Sequence, residues 1–183
     1  MLNALTTNWW AWLIRGILAI IFGVIAFTQP TTTALALVYV FGIYAIAEGI
    51  LNIWAALSGK ADSRFWYIIW GLISIIAGII AFANPILTGL TLVIVIGAWA
   101  IVTGIFEIIA GIKLRDEIEG EFWLILGGIL SVIFGILIWR NVAVGALTIV
   151  WLIGIYAILF GITLIALAFK VKGIQDNVAS LKR

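Results

Sequence analysis

The stretch Gly42-Ile-Tyr-Ala-Ile-Ala-Glu-Gly49 occurs three times in this chain with small changes. It returns as Gly97-Ala-Trp-Ala-Ile-Val-Thr-Gly104 and as Gly154-Ile-Tyr-Ala-Ile-Leu-Phe-Gly161. The offset is 55 residues from Gly42 to Gly97 and 57 residues from Gly97 to Gly154. A second motif precedes each copy at the same offsets, in the glycine pairs Gly16 and Gly23, Gly71 and Gly78, and Gly128 and Gly135. Two motifs with common offsets indicate a tandem repeat, and the length of the repeated unit corresponds to about two helices.

The composition places the chain in a membrane. Hydrophobic residues make up 66% of the 183 residues and charged residues only 10%, which is more apolar surface than a soluble chain of this size can bury. A bilayer core needs about 20 helical residues to cross it. The apolar stretches do not alternate with polar residues as barrel strands do, so the prediction is an all-α integral membrane protein. The six predicted transmembrane helices are about 9–28, 34–57, 65–83, 87–112, 122–140 and 143–169.

The predicted fold is three two-helix repeats in one membrane domain that covers residues 1–183. Repeat 1 covers about 8–57, repeat 2 about 65–112 and repeat 3 about 121–169, and a charged tail follows at 170–183. Since each repeat crosses the membrane twice, successive repeats are parallel, and we expect one bundle with pseudo-threefold character. A linear stack of hairpins is the alternative. Pro30 and Pro85 mark the turns of the first two repeats, while Val142 replaces the third proline and predicts a looser turn.

The basic residues predict the orientation. Lys and Arg in short loops stay in the cytoplasm, so both termini are predicted to be cytoplasmic in the cell inner membrane. The N-terminus has no basic region before its apolar run, so a cleaved signal peptide is not expected. The basic residues on the predicted inner side are Lys60, Arg64, Lys113, Arg115, Lys170, Lys172, Lys182 and Arg183, and Arg140 lies on the other side with Trp139 as an interfacial anchor.

Small residues recur along every predicted helix at alternating steps of three and four. A period of 3.5 keeps one stripe turned toward a partner helix, and small residues let two backbones approach closely in lipid. We therefore predict helix packing for this stripe, with a pore lining or a lipid groove as the alternative. Its glycines are Gly16, Gly23, Gly42, Gly49, Gly71, Gly78, Gly97, Gly104, Gly128, Gly135, Gly154 and Gly161.

Four polar residues inside the spans are the candidate functional residues. Arg15, Glu48 and Glu107 are ionisable, so they are expected to face the protein interior, a pairing partner or water. Asn52 is the first-repeat equivalent of Glu107, and Leu164 the third-repeat equivalent. Pairing of Arg15 with Glu48 or with Glu107 is the structural prediction. One carboxyl would remain without a partner, so a proton-responsive site is the alternative.

The chain resembles the HdeD family of acid-resistance membrane proteins over roughly residues 8–170. The resemblance depends on Trp12-Leu-Ile-Arg-Gly-Ile-Leu-Ala19, on the stretch 42–49 and on the segment 107–121. The turn prolines Pro30 and Pro85 fit the family, and Val142 departs from it. The resemblance implies an inner-membrane protein linked to survival at low pH, without catalytic residues to carry over.

These observations predict a non-enzymatic protein that supports acid or envelope stress resistance by organising the bilayer or a partner. The alternative is a small channel or proton-coupled transporter that uses Glu48 and Glu107. The chain contains no histidine and no cysteine, and no catalytic, phosphate-binding or metal-binding motif. No enzyme activity, cofactor, metal or nucleic acid is therefore expected. The expected partners are the lipid bilayer and either a second copy of the chain or another membrane protein.

Overall fold

A computed structural model describes residues 9–58, 63–113 and 121–180, with side chains as far as Lys172. The predicted hydrophilic links run from Ser58 to Arg64 and from Lys113 to Glu121, and their residues 59–62 and 114–120 lie outside the described residues, as do the side chains of most of the charged tail. Every helix in this part of the chain is an α-helix, and each predicted span corresponds to one of them. The helices are α1 (Trp9–Thr28), α2 (Pro30–Leu57), α3 (Arg64–Ala83), α4 (Pro85–Lys113), α5 (Glu121–Arg140) and α6 (Val142–Ser180).

All six helices are long and apolar enough to cross a membrane. The first helix of each repeat has 20 residues, which corresponds to about 30 Å and matches the apolar thickness of a bilayer. The second helices are longer, with 28 residues in α2, 29 in α4 and 39 in α6. The predicted six-helix membrane architecture is therefore confirmed at the level of length and composition.

The turn inside each repeat is one residue long. Gln29, Asn84 and Asn141 lie between the two helices of their repeats, and the carbonyl oxygen of each accepts the first backbone hydrogen bond of the next helix at 2.9–3.0 Å. Pro30 and Pro85 occupy the first helical position, where the absent N–H costs nothing.

The looser turn predicted for the third repeat is seen in one hydrogen bond, since the N–H of Asn141 donates to the Leu137 carbonyl oxygen at 3.4 Å, against 2.8 Å for the bonds of Gln29 and Asn84. Asn141 caps α6 through its side chain, because its Oδ1 accepts a hydrogen bond from the backbone N–H of Val144 at 3.1 Å. An asparagine N-cap satisfies a backbone donor that would otherwise be orphaned, and so it starts the helix without a proline. The third turn keeps the one-residue length and the following backbone hydrogen bond of the other two, while the hydrogen bond before it is longer.

The chain forms two compact units. Unit 1 contains residues 1–33 and 148–183, and unit 2 contains residues 34–147. In unit 1, α1 packs along α6, so the first helix of the chain contacts the last. A linear stack of hairpins would not predict this contact between the first helix and the last. In unit 2, α2 packs along α3 and α4 packs along α5.

Candidate functional site

The closest helix contacts join different repeats. In each of the three antiparallel pairs, the first helix of one repeat meets the second helix of another at two glycines. A Cβ on Gly16 would lie 2.8 Å from the carbonyl oxygen of Gly161, and a Cβ on Gly161 would lie 2.6 Å from that of Gly16. The equivalent distances are 2.8 and 2.6 Å between Gly71 and Gly49. Since real Cβ atoms do not approach so closely, these positions hold glycine for steric reasons.

A second tier of glycines repeats this contact two helical turns further along each pair. A Cβ on Gly23 would lie 2.7 Å from the carbonyl oxygen of Gly154, one on Gly78 would lie 2.8 Å from that of Gly42, and one on Gly135 would lie 2.5 Å from that of Gly97. An isoleucine Cγ1 fills the space beside eight of the twelve stripe glycines. These isoleucines are Ile20, Ile46, Ile53, Ile75, Ile101, Ile108, Ile158 and Ile165.

An aromatic ring covers a glycine in every pair, near the turn inside its own repeat. Phe27 lies against Gly154, Phe82 against Gly42 and Trp139 against Gly97, with 2.9–3.2 Å from the nearest ring atom to the position that a Cβ would occupy. The three aromatic residues are repeat equivalents. Trp139 is thus a helix contact, and its role as an interfacial anchor stays a prediction.

The α4–α5 pair has two polar contacts across the helices. Ser131 donates a hydrogen bond to the carbonyl oxygen of Ala100 at 2.9 Å, and the indole Nε1 of Trp139 donates one to the carbonyl oxygen of Ile94 at 3.1 Å. Interhelical hydrogen bonds supplement van der Waals packing inside a membrane. Packing of the stripe therefore combines backbone proximity, isoleucine contacts and these two bonds.

Glu107 lies beside the α4–α5 contact. Its side chain is half-buried, and its Oε2 lies 3.9 Å from the position that a Cβ on Gly127 would occupy. A Cβ at residue 127 would meet this carboxylate only at an ordinary van der Waals distance. Within unit 2, no described residue forms an ion pair or a hydrogen bond with the carboxylate of Glu107.

The other candidate residues flank the glycine stripe. Arg15 and Glu48 are exposed, while Asn52 is half-buried. Neither charged side chain has a hydrogen bond or an ion pair with the described residues of its own unit. Arg15 belongs to unit 1 and the two glutamates to unit 2, so the pairings expected from the sequence stay predictions.

The repeat equivalence relates these positions to one another. Gly127 in repeat 3 corresponds to Trp70 in repeat 2 and to Arg15 in repeat 1, since the offsets are those of the glycine motifs. Glu107 corresponds to Leu164, which is buried in unit 1. The three helix pairs thus share their backbone geometry, while their polar groups differ. The part of the chain that the structure describes holds no group of three or more His, Cys, Asp or Glu side chains placed to bind a metal ion.

Six long apolar helices in three repeated pairs define a multi-pass membrane protein. The model of the family described as "Short repeat of unknown function (DUF308)" matches residues 14–82, 69–140 and 126–179. The chain therefore belongs to the DUF308 short-repeat family. Its matches begin at residues 14, 69 and 126, which are spaced by the same 55 and 57 residues as the glycine motifs. No curated protein and no solved structure matches the chain.

Proposed function

We propose that this protein is a non-enzymatic inner-membrane protein that supports resistance to acid or envelope stress by organising the bilayer or a partner. The resemblance to the HdeD family supports the stress role. The proposed mode of action is based on one observation: Arg15 and Glu48 are exposed on helices that are long and apolar enough to cross a membrane. Ionisable groups in such segments mark functional positions by default, and exposed ones are accessible to another molecule.

The bundle and its orientation belong to the same proposal. Recurrence of one glycine contact in all three helix pairs supports packing of the three repeats as one membrane bundle. Lys172 lies over the ring of Trp9, with its Nζ 4.9 Å from the ring centroid, so a basic residue and an aromatic residue share one end of unit 1. Such a pair suits a cytoplasmic membrane interface. Reporter fusions to both termini test the orientation, and an outside location of either terminus would contradict it.

Acid survival tests the stress role. Cells that lack the protein are complemented with the wild type, with Glu48→Gln or with Glu107→Gln, and are then exposed to low pH. We expect the wild type to restore survival and at least one variant to fail at equal protein level in the membrane. Gln keeps the size and removes the charge, so a failure points to the carboxyl itself. Equal survival with and without the wild-type protein would overturn the proposed stress role.

A channel or proton-coupled transporter is the second candidate. The half-buried carboxylate of Glu107 beside Gly127 favours it, because ionisable groups in membrane spans mark ion pathways and proton relays in pumps and transporters. Proteoliposome flux at neutral and acid pH separates the two candidates. A proton leak that Glu107→Gln or Glu48→Gln abolishes would establish the transporter. A protein that restores acid survival without flux of any tested ion would support the organising role.

Infrared difference spectroscopy provides a direct measure of the carboxyls. A pH titration of the purified protein gives a carboxyl band for each glutamate that changes its protonation. Glu48→Gln and Glu107→Gln then assign the band to one residue. If neither variant removes a band, both carboxyls keep one protonation state over the tested range, and the transporter candidate fails.

A further inference from the structure

The two exposed charges in the spans have opposite signs. Arg15 lies on α1 and Glu48 on α2, and each is exposed among apolar residues such as Ile14 and Ile50. Neither is paired within its own unit in the part of the chain that the structure describes. A charged side chain exposed to hydrocarbon is costly, so each of these charges needs a partner of opposite sign.

Glu48 lies close to the level of the position that is the repeat equivalent of Arg15. In the α2–α3 pair Gly49 faces Gly71, and because the helices are antiparallel Glu48 lies at the level of Leu72. Leu72 is two residues, or about 3 Å along the helix axis, from Trp70. Trp70 is the repeat equivalent of Arg15. Within the α2–α3 pair, Glu48 therefore lies within about 3 Å of the level of the position that is equivalent to Arg15.

We propose that a second copy of this chain covers these surfaces, and that Arg15 of one copy pairs with Glu48 of the other. A second copy brings the opposite charge in equal number, which an apolar lipid chain cannot do. A dimer with its two-fold axis along the membrane normal contains the ion pair twice, because each residue meets its partner on both sides of the axis. The inference rests on the membrane placement proposed above and is independent of the stress role.

Cysteine cross-linking tests the proposal cleanly, since the wild-type chain has no cysteine. Two differently tagged chains, one with Arg15→Cys and one with Glu48→Cys, are produced together and oxidised in native membranes. We expect a disulfide that links the two differently tagged chains. The control pair is Ile17→Cys with Ile50→Cys, which is equally exposed. Ile17 lies about 200° around its helix from Arg15, and Ile50 lies about 200° from Glu48. The control pair is therefore expected to cross-link at least about tenfold less.

Charge exchange separates pairing between copies from pairing within one chain. Arg15→Glu and Glu48→Arg each place like charges together, so each variant alone is expected to lose oligomer by about tenfold or more. Coexpression of the two variants restores opposite charges between different copies, and the oligomer is expected to return. Single-molecule photobleaching in membranes counts the copies.

Two outcomes would overturn the proposal. The first is an absence of tag-to-tag disulfide above the Ile17–Ile50 control. The second is rescue by the double variant Arg15→Glu/Glu48→Arg in one chain without rescue by coexpression, which would place the ion pair within one chain. Carbonate extraction of every variant checks membrane insertion separately. Loss of the wild-type protein from the membrane pellet would instead contradict the membrane placement itself.

Discussion

The carbonyl oxygen of Gly104 lies 2.6 Å from the position that a Cβ on Gly128 would occupy, and the reverse distance is also 2.6 Å. Each glycine therefore leaves the space into which the other backbone fits. The same reciprocal contact recurs in the α1–α6 and α2–α3 pairs. In each pair it joins the first helix of one repeat to the second helix of another. The repeat is thus a unit of sequence, whereas the unit of tight packing spans two repeats.

We predict that Gly128→Ala destabilises the protein and that Gly127→Ala does not. The added methyl group at residue 128 meets the Gly104 backbone, which cannot rotate away, and such overpacking costs about 1–3 kcal/mol. At residue 127 the new Cβ meets only Glu107 Oε2 at 3.9 Å, an ordinary contact. Unfolding in mixed detergent measures both free energies. Equal stability of the two variants would contradict the close backbone approach.

Ser131 supports a second prediction about the α4–α5 pair. Ser131→Ala removes the hydrogen bond to the Ala100 carbonyl and should cost about 0.6 kcal/mol, as is typical inside membranes. Ser74 is its repeat equivalent in α3 and donates no hydrogen bond among the described residues. Ser74→Ala is therefore the control and should change the free energy of unfolding less. A larger loss from Ser74→Ala than from Ser131→Ala would refute the assignment.

The two classes of turn lead to a third prediction. Asn141→Ala removes the cap on α6 and should lower stability by about 1 kcal/mol. Asn84→Ala is the matched control, because α4 begins with Pro85 and the Asn84 side chain makes no capping bond in the described structure. Thermal unfolding in detergent measures both effects. If Asn141→Ala and Asn84→Ala lower the midpoint equally, the asparagine cap does not replace the proline.

Much of the fold follows from the sequence because lipid imposes strong constraints. Backbone groups must be satisfied inside each span, so length and composition alone predict six helices. The choice of partner helix was not predictable, since every helix carries the same glycine stripe and the stripe does not say which other stripe it faces. The aromatic residue four positions after the second glycine of the first helix covers a glycine of the partner helix, but it too is present in every repeat, at Phe27, Phe82 and Trp139.

The candidate polar residues were only partly predictable. The sequence singled out Arg15, Glu48 and Glu107 by charge, and their depth followed from counting along each helix. The sequence did not predict that Glu107 lies beside Gly127, because that contact depends on the pairing of α4 with α5. Asn141 was missed as a cap, although an asparagine directly before a helix is a known start signal.

Thr88 leads to a fourth prediction, because its hydroxyl is buried without a hydrogen-bond partner in the described structure. Its repeat equivalent Thr33 donates to the Gln29 carbonyl oxygen at 3.0 Å. An unsatisfied buried hydroxyl costs about 1–3 kcal/mol, so Thr88→Val should leave stability unchanged or raise it. Thr33→Val should lower it instead. A clear loss of stability in Thr88→Val would show that its hydroxyl has a partner.

The fifth prediction concerns Glu107, whose third-repeat equivalent is the buried Leu164. Glu107→Leu gives the second repeat the residue of the third and removes a carboxylate that has no partner in its own unit. We expect the free energy of unfolding to rise by about 1–3 kcal/mol, because an ionisable group in a membrane span is costly. We expect acid survival to fall in the same variant. A stability gain with lost survival would mean that the carboxylate is kept for function. Glu107→Leu that is less stable than the wild type would show instead that the carboxylate has a structural partner.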